Sequence, residues 1–315
     1  PLRDNVNFAY GFEWREETYI MDESQPEAWM QGALAEVGLL IDPSTADNYA
    51  SPPIGSNGLS GTTSDGAGRF QRDNYAIYTD IEWDFSAATL IQTALRAEKF
   101  SDFGNTINGK VAARHKLTNK TTLRGAVSTG YRAPTPGQSK YTGIRTSADV
   151  ACGLLTQDGT ILPTSDLAVS LGGKELDPEK SKNLSFGLTS TPQDNFNFSV
   201  DFYWIELKDR IAKTIDIPVT DTLFSRASFY TNALTSKTSG VDITTQYYIS
   251  WENGANTHIN LSYNHNETKI TGQNLVNGIN PVSDRMIFNI ENSLPKDRVT
   301  LTLTHLVYGE WQTKV

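Results

Sequence analysis

The sequence has one cysteine, no long hydrophobic run and no excess of positive charge, and each shortage excludes a class of protein. The single cysteine, Cys152, provides neither a disulfide framework nor a metal cluster. No stretch of 18 apolar residues occurs, which excludes a transmembrane helix but no other kind of membrane protein. A net charge of -9 argues against a nucleic-acid partner, because such surfaces need surplus Lys and Arg.

Signatures of secretion and catalysis are also missing. The opening residues, "PLRDNVNFAYG", lack the charged and apolar regions of a signal peptide. No HExxH, GxSxG, P-loop or Rossmann fingerprint occurs. The four histidines lie singly in or beside predicted strands, where a structural role is the ordinary one; they are His115, His258, His265 and His305. The sequence therefore predicts no enzyme, no metal site and no cofactor.

Alternation of apolar and polar residues is the main positive feature. In "NFNFSVDFYW", residues 195 to 204, every second residue from Phe196 to Trp204 is apolar and most of the residues between are polar. A period of two is typical of a β-strand with one apolar face. That face contacts a second sheet in a soluble sandwich and lipid in an outer-membrane barrel.

Ten further segments show the alternation, so eleven strands are predicted. The ten begin at residues 5, 74, 90, 107, 122, 183, 240, 257, 285 and 298. Most have the roughly 9 to 11 residues that a tilted membrane strand needs, whereas strands of globular proteins average about 5 to 6. The long connections, 21 to 69, 133 to 177, 212 to 228 and 271 to 284, all fall at one end.

Short turns at one end and long loops at the other are typical of outer-membrane barrels. The sequence therefore predicts an all-β fold, an antiparallel transmembrane β-barrel. A soluble all-β protein whose aromatic residues fill a core is the alternative at this point.

Several motifs resemble those of a known family. The stretch "STGYRAPTPGQ", residues 128 to 138, ends a strand before a long loop and resembles the barrel of TonB-dependent receptors. Other matching stretches follow the family order: "YGFEWREETY", "ALRAEKFSDFG", "LDPEKSKNLSFGL", "VDFYWIELKDRI" and "TSKTSGVDITTQYY". The resemblance implies a plugged barrel of about 22 strands, of which about half are present. Residues 1–315 are then expected to be a partial barrel domain, with the plug and the C-terminal strands absent.

The resemblance also implies a function. Such receptors lie in the outer membrane of Gram-negative bacteria and take up a scarce nutrient, such as a ferric siderophore, cobalamin or an oligosaccharide. The implied partners are an N-terminal plug domain, the TonB–ExbB–ExbD system acting through that plug, outer-membrane lipid and a small nutrient ligand. A passive porin-like channel, or a ligand-binding β-barrel without energy coupling, is the alternative.

Two sets of candidate residues follow. Charged residues assigned to the polar strand face are expected to face the lumen and its plug: Arg96, Arg124, Arg132, Asp201, Asp242 and Glu291. Loop residues suited to stacking on a sugar or pairing with an anionic chelate are expected to bind substrate: Trp29, Tyr49, Tyr141 and Arg145.

Overall fold

A computed structural model describes residues 5–30, 54, 59–149, 154–220, 225–307 and 311–314. Its fifteen strands within that part of the chain are β1 Val6–Met21, β2 Gly68–Ser86, β3 Thr89–Phe100, β4 Gly104–Lys116, β5 Thr121–Arg132, β6 Gly143–Asp149, β7 Leu154–Thr160, β8 Glu179–Gln193, β9 Phe196–Lys213, β10 Ile217–Pro218, β11 Arg226–Ser228, β12 Tyr230–Ser250, β13 Asn256–Gln273, β14 Asp297–Val307 and β15 Trp311–Lys314. The α-helices are α1 Pro136–Lys140, α2 Asp166–Ser170 and α3 Asp284–Asn292, and single 3-10 turns lie at Pro26–Ala28 and Ser64–Gly66.

Eleven strands form one antiparallel sheet in the order β1-β2-β3-β4-β5-β8-β9-β12-β13-β14-β15. Pairing is between chain neighbours of this sheet, and the register keeps apolar residues together: Phe202 lies opposite both Phe186 and Val241. The polar residues are likewise opposed, as Asp201 is to Asp242. Two continuous faces result, one apolar and one polar, and the predicted antiparallel barrel fold is confirmed. The sheet is open, since β1 and β15 are its two ends.

The edge of the apolar face is slanted across the sheet. On β9 the last residue of the apolar face is Trp204, and the row of paired residues through it reaches Phe8 on β1. On β1 the aromatic face continues six residues further, to Trp14. Six residues at about 3.4 Å over six strand steps at about 4.8 Å give a slant of about 35°. Strands of outer-membrane barrels tilt by about 35–45°, so the slant of this edge matches the strand tilt of such a barrel.

The connections are long at one end, as predicted, and they have a structure of their own. Strands β10, β11, β7 and β6 form a second sheet in that order, with β11 parallel to β7. A small core, Ile161, Ala168, Ala227, Phe229 and Val276, packs beside it. Gly61 of the first connection joins β6 through paired backbone hydrogen bonds with Ile144 of 2.8 and 2.9 Å. We call this second sheet with its core the cap.

One predicted strand is wrong: residues 285 to 292 belong to helix α3, and Ser293 is the C-terminal cap of that helix. Ser283 caps the helix, because its side chain accepts a hydrogen bond from the Met286 backbone N–H. Ile287 and Ile290, three apart and so on one helix face, pack against the cluster that contains Leu234. The tenth strand of the sheet is therefore β14, and β15 is the eleventh. No helix in the described part of the chain is long and apolar enough to cross a membrane.

Candidate functional site

Five of the six predicted lumen-facing charges lie on the polar face of the sheet: Arg96, Arg124, Arg132, Asp201 and Asp242. The sixth, Glu291, is on helix α3, so its assignment to a strand face is wrong. Its Oε1 instead accepts a hydrogen bond of 2.7 Å from the Ile270 backbone N–H. This contact fastens the helix to β13.

The charges on the polar face are paired with neighbouring strands. Arg96 on β3 contacts Glu98 on its own strand and Glu13 on β1, the latter at 3.0 Å. Asp242 on β12 accepts a hydrogen bond of 2.6 Å from the Asn264 amide on β13. These bonds link neighbouring strands, so these charged groups already have partners within the sheet.

The Arg124–Asp201 pair spans two strand steps and needs a glycine beneath it. Arg124 on β5 donates two hydrogen bonds, of 2.8 and 2.6 Å, to the Asp201 carboxylate on β9. Between them on β8 lies Gly187, opposite both residues in the register. A Cβ at this position would overlap Asp201 Oδ1 and reach within 3.1 Å of Arg124 Nε. The ion pair therefore depends on the missing side chain.

The same arrangement recurs at Gly240 on β12. Tyr203 on β9 extends across it, and its hydroxyl accepts a hydrogen bond of 2.9 Å from the Asn266 amide on β13. A Cβ on Gly240 would overlap the Tyr203 hydroxyl. On the polar face, side-chain contacts therefore cross a glycine at two described positions.

A cavity of about 750 Å³ lies where the polar face meets helix α3, at the end of the long connections. We call it the vestibule. Its apolar lining is Ile205, Leu207, Met286, Ile290 and Leu294; its polar lining includes Ser181, Ser236, Thr238 and Thr268. A mixed wall of this size suits a bulky ligand with both apolar and hydrogen-bonding groups.

Charged groups at the vestibule are Arg132, Arg210 and Glu179. The buried Glu179 carboxylate accepts a hydrogen bond of 2.9 Å from Arg132 Nε and another of 2.8 Å from the Ile211 backbone N–H. A register shift in the β9–β12 ladder, with Asp209 at a φ of 56°, changes the strand's alternation just before Arg210. Two guanidinium groups and one carboxylate leave the vestibule with a net positive charge.

The predicted substrate contacts do not form one site. Trp29 donates a hydrogen bond of 3.1 Å to the Ser24 carbonyl, and Tyr141 ends helix α1 as its C-terminal cap. Arg145 is on β6 of the cap, 3.5 Å from both Asp158 and Asp216. Tyr49, like Cys152, lies outside the described residues. None of the three described residues lines the vestibule.

The cap is held by a buried carboxylate. Asp158 on β7 is 3% exposed and accepts hydrogen bonds of 2.8 and 3.1 Å from Arg226 on β11. Burial by itself would raise the pKa of Asp158, but hydrogen bonds from Arg226 and Ser147 and the charges of Arg226 and Arg145 outweigh it, so the pKa lies below its ordinary value. Arg145 is thus one of the two cations that lie beside Asp158 in the cap.

Sequence reasoning missed three residues of the vestibule. Glu179 shares the alternation of Asn183 and Gly187, so extending β8 by two steps would have identified it. Arg210 follows the irregular register, and Met286 lies on the misassigned helix; neither carries a periodic signal. Within the described ranges no cluster of three or more His, Cys, Asp or Glu residues has the arrangement to hold a metal ion.

Solved structures with this fold are large receptors and importers. The FrpB iron transporter from Neisseria meningitidis aligns with a TM-score of 0.57 at 12% identity, over 98% of this chain and 39% of that one. A ferric enterobactin receptor mutant from Pseudomonas aeruginosa gives 0.55 at 12% identity, over 95% and 43%. The RagAB peptide importer gives 0.54 at 16% identity, over 89% and 29%. The chain spans less than half of each, and at these identities the likeness shows the fold alone.

Sequence comparison identifies the family. A search of curated proteins finds no match. The profile described as TonB dependent receptor-like, beta-barrel, matches residues 5–315, nearly the whole chain. This match also bears out the prediction that the chain is not an enzyme. The chain belongs to the TonB-dependent receptor-like β-barrel family.

Proposed function

We propose that the protein is an outer-membrane receptor of a Gram-negative bacterium that takes up a scarce, bulky nutrient with energy from TonB. The observation that carries this proposal is the slanted apolar band on one face of the sheet, combined with a vestibule on the other. The band meets lipid, and the vestibule and cap meet the nutrient. The family match over residues 5–315 supports the same reading.

The domain arrangement is part of the proposal. Eleven strands form about half of a barrel of about 22 strands, a class whose lumen is plugged. The solved structures, of which this chain covers 29% to 43%, are consistent with that share. The remaining strands close the barrel, and an N-terminal plug fills it and contacts the TonB–ExbB–ExbD system.

The nutrient class follows from the vestibule. Its size, its mixed lining and its net positive charge suit an anionic, partly apolar molecule, of which a ferric siderophore is one kind. Cobalamin and oligosaccharides remain within the proposed range. The receptors with the same fold named for iron or ferric enterobactin support the first kind.

Energy coupling is tested with the complete receptor in cells. Binding and uptake of a radiolabelled ferric siderophore panel, cobalamin and oligosaccharides are measured with TonB present, with TonB deleted, and after collapse of the proton gradient. We expect uptake of the cognate ligand to stop under both treatments while surface binding persists. Uptake that continues unchanged under both would favour the passive porin-like channel and overturn the proposal.

A further inference from the structure

The ladder between β4 and β5 ends before either strand does. Its paired residues run from Lys116 and Thr122 to Lys110 and Ser128. Beyond that point β4 still pairs with β3, and β5 still pairs with β8. The Gly109 backbone N–H donates to the Thr129 hydroxyl at 3.1 Å instead of to a strand partner. From this contact toward the long connections, the two strands separate and a cleft opens between them.

The cleft has a volume of about 440 Å³ and two unlike sides. On the β4 side Ile107 is 72% exposed, with Phe103 beside it. Lysines lie on the other side: Lys180, Lys182 and Lys208. An apolar side next to a basic side fits a molecule whose apolar part adjoins an anionic group.

The cleft opens on the apolar face, just beyond the edge of the band. Lys182 is two residues past Leu184, and Lys208 is four past Trp204, so their side chains point to the lipid side of the sheet. Both lie toward the long connections. A membrane surface that meets the band at Trp204 therefore has these ammonium groups at headgroup depth.

Positive charge is in excess at the cleft. Glu206 is shared by Lys208 at 3.8 Å and Lys237 at 3.7 Å, and Asp177 is paired with Lys174 at 3.3 Å. Neither Lys180 nor Lys182 has an ion-pair partner among the residues that the structure describes. The three lysines outnumber the two carboxylates of the cleft lining, so an anion entering here meets a net positive charge.

We propose that this cleft binds the phosphate-bearing headgroup of a membrane lipid from the leaflet on the side of the long connections. The phosphate pairs with Lys180, Lys182 and Lys208, and the first apolar part of the lipid lies along Ile107. Polar headgroup atoms also meet the backbone groups that the separated strands leave without ladder partners, which are costly in an apolar setting. The inference rests on the membrane position proposed above.

The test uses the complete receptor in phosphatidylcholine nanodiscs that contain lipid A with both phosphates or with none. Retained lipid A is quantified by mass spectrometry for the wild type and for the Lys180→Gln, Lys182→Gln double variant. We expect the double variant to lower retention of phosphorylated lipid A by about tenfold, because each lysine near an anionic group adds to binding. Retention of phosphate-free lipid A is expected to be equally low in the wild type and in the double variant.

A matched control removes two lysines that already have an ion-pair partner. Lys269 and Lys296 both pair with Glu267 at 3.2 Å and lie outside the cleft. The Lys269→Gln, Lys296→Gln variant is expected to change retention by less than about twofold.

Three results would overturn the inference. The two double variants could lose equal amounts of retained lipid A, or the wild type could retain phosphate-free lipid A as well as phosphorylated lipid A. The third is displacement of the lipid by inorganic phosphate at equal concentration. The last would indicate a site for a free anion. Energised uptake is measured separately on the same variants. Normal uptake by a wild-type receptor that retains no phosphorylated lipid A would therefore remove this inference and leave the proposed function intact.

Discussion

At the scale of single residues, glycine permits two of the cross-links on the polar face. In both, a side chain passes directly over the intervening strand, and this requires that the strand present no Cβ at the crossing. Gly187 and Gly240 meet this requirement beneath the Arg124–Asp201 and Tyr203–Asn266 contacts. The alternation of the sequence predicted which residues share this face. It did not predict which side chains contact each other. Contacts across two strand steps depend on the strand register, which alternation alone does not determine.

Replacing Gly187 with alanine is expected to destabilise the barrel by about 1–3 kcal/mol, as overpacking does. The added Cβ forces Asp201 away from Arg124. The lost ion pair contributes little, about 1 kcal/mol at most, since Arg124 is 53% exposed. The measurement is equilibrium unfolding of the complete receptor in urea and lipid.

Gly109→Ala is the control, because a Cβ there has its nearest neighbour at an ordinary 3.5 Å. Its cost is expected to stay within about 0.5 kcal/mol. In an Asp201→Ala background the penalty of Gly187→Ala should also fall, which a double-mutant cycle reports. Equal costs at the two glycines would show that the bridge over Gly187 is unimportant.

At the scale of elements, long periodic strands were predictable and short aperiodic ones were not. Strand β9 carries its alternation over most of 18 residues, whereas β7 has seven and β11 three. Strand β11 also pairs with β7 across a gap of about 68 residues, which no local pattern encodes. Helix α3 was misassigned because Met286, Phe288 and Ile290 alternate, while Ile287 and Ile290 are the residues that pack.

The cap is expected to lose stability in acid. Because the folded pKa of Asp158 lies below the ordinary value of about 3.9, its contribution is complete above that value and is lost as the pH falls through the depressed folded value. Asp158→Asn leaves Arg226 without its charged partner and should cost the cap about 3 kcal/mol at neutral pH. The opening free energy of β7, from hydrogen exchange corrected for intrinsic rates, measures both effects.

Asp216→Asn is the matched control for this experiment. Asp216 is 29% exposed and lies 3.5 Å from Arg145, so its removal should change the opening free energy by less than about 1 kcal/mol. In Asp158→Asn the acid-dependent loss should disappear. A wild-type cap whose opening is flat down to about pH 2, well below the ordinary carboxyl pKa, would contradict the assigned role of Asp158.

At the scale of the whole molecule, the long connections mark one end of the sheet, and under the proposed function this end lies outside the membrane interior. The cap and the lysines beyond the apolar band both lie toward this end. The lengths of the connections and the alternation along the strands were enough to predict which end this is, because both are read directly from the sequence. The vestibule was not predictable, since it arises only where helix α3 meets the polar face.

Closure of the barrel gives the last prediction: residues 1–315 expressed alone are not expected to form a closed, heat-modifiable barrel. Antiparallel neighbours alternate in direction, so the first and eleventh strands of the sheet run the same way. A seam between them would be parallel, whereas bacterial barrels close with an even number of antiparallel strands. An open edge in lipid leaves backbone groups unpaired at several kcal/mol each.

Heat-modifiability on gels, protease resistance and mass in detergent are the measurements, with the complete receptor as the control for refolding. We expect the complete receptor to migrate as a compact species before heating, while residues 1–315 aggregate or remain protease-sensitive. Because the first and eleventh strands run in the same direction, a monomeric, protease-resistant barrel from residues 1–315 would refute the half-barrel proposal.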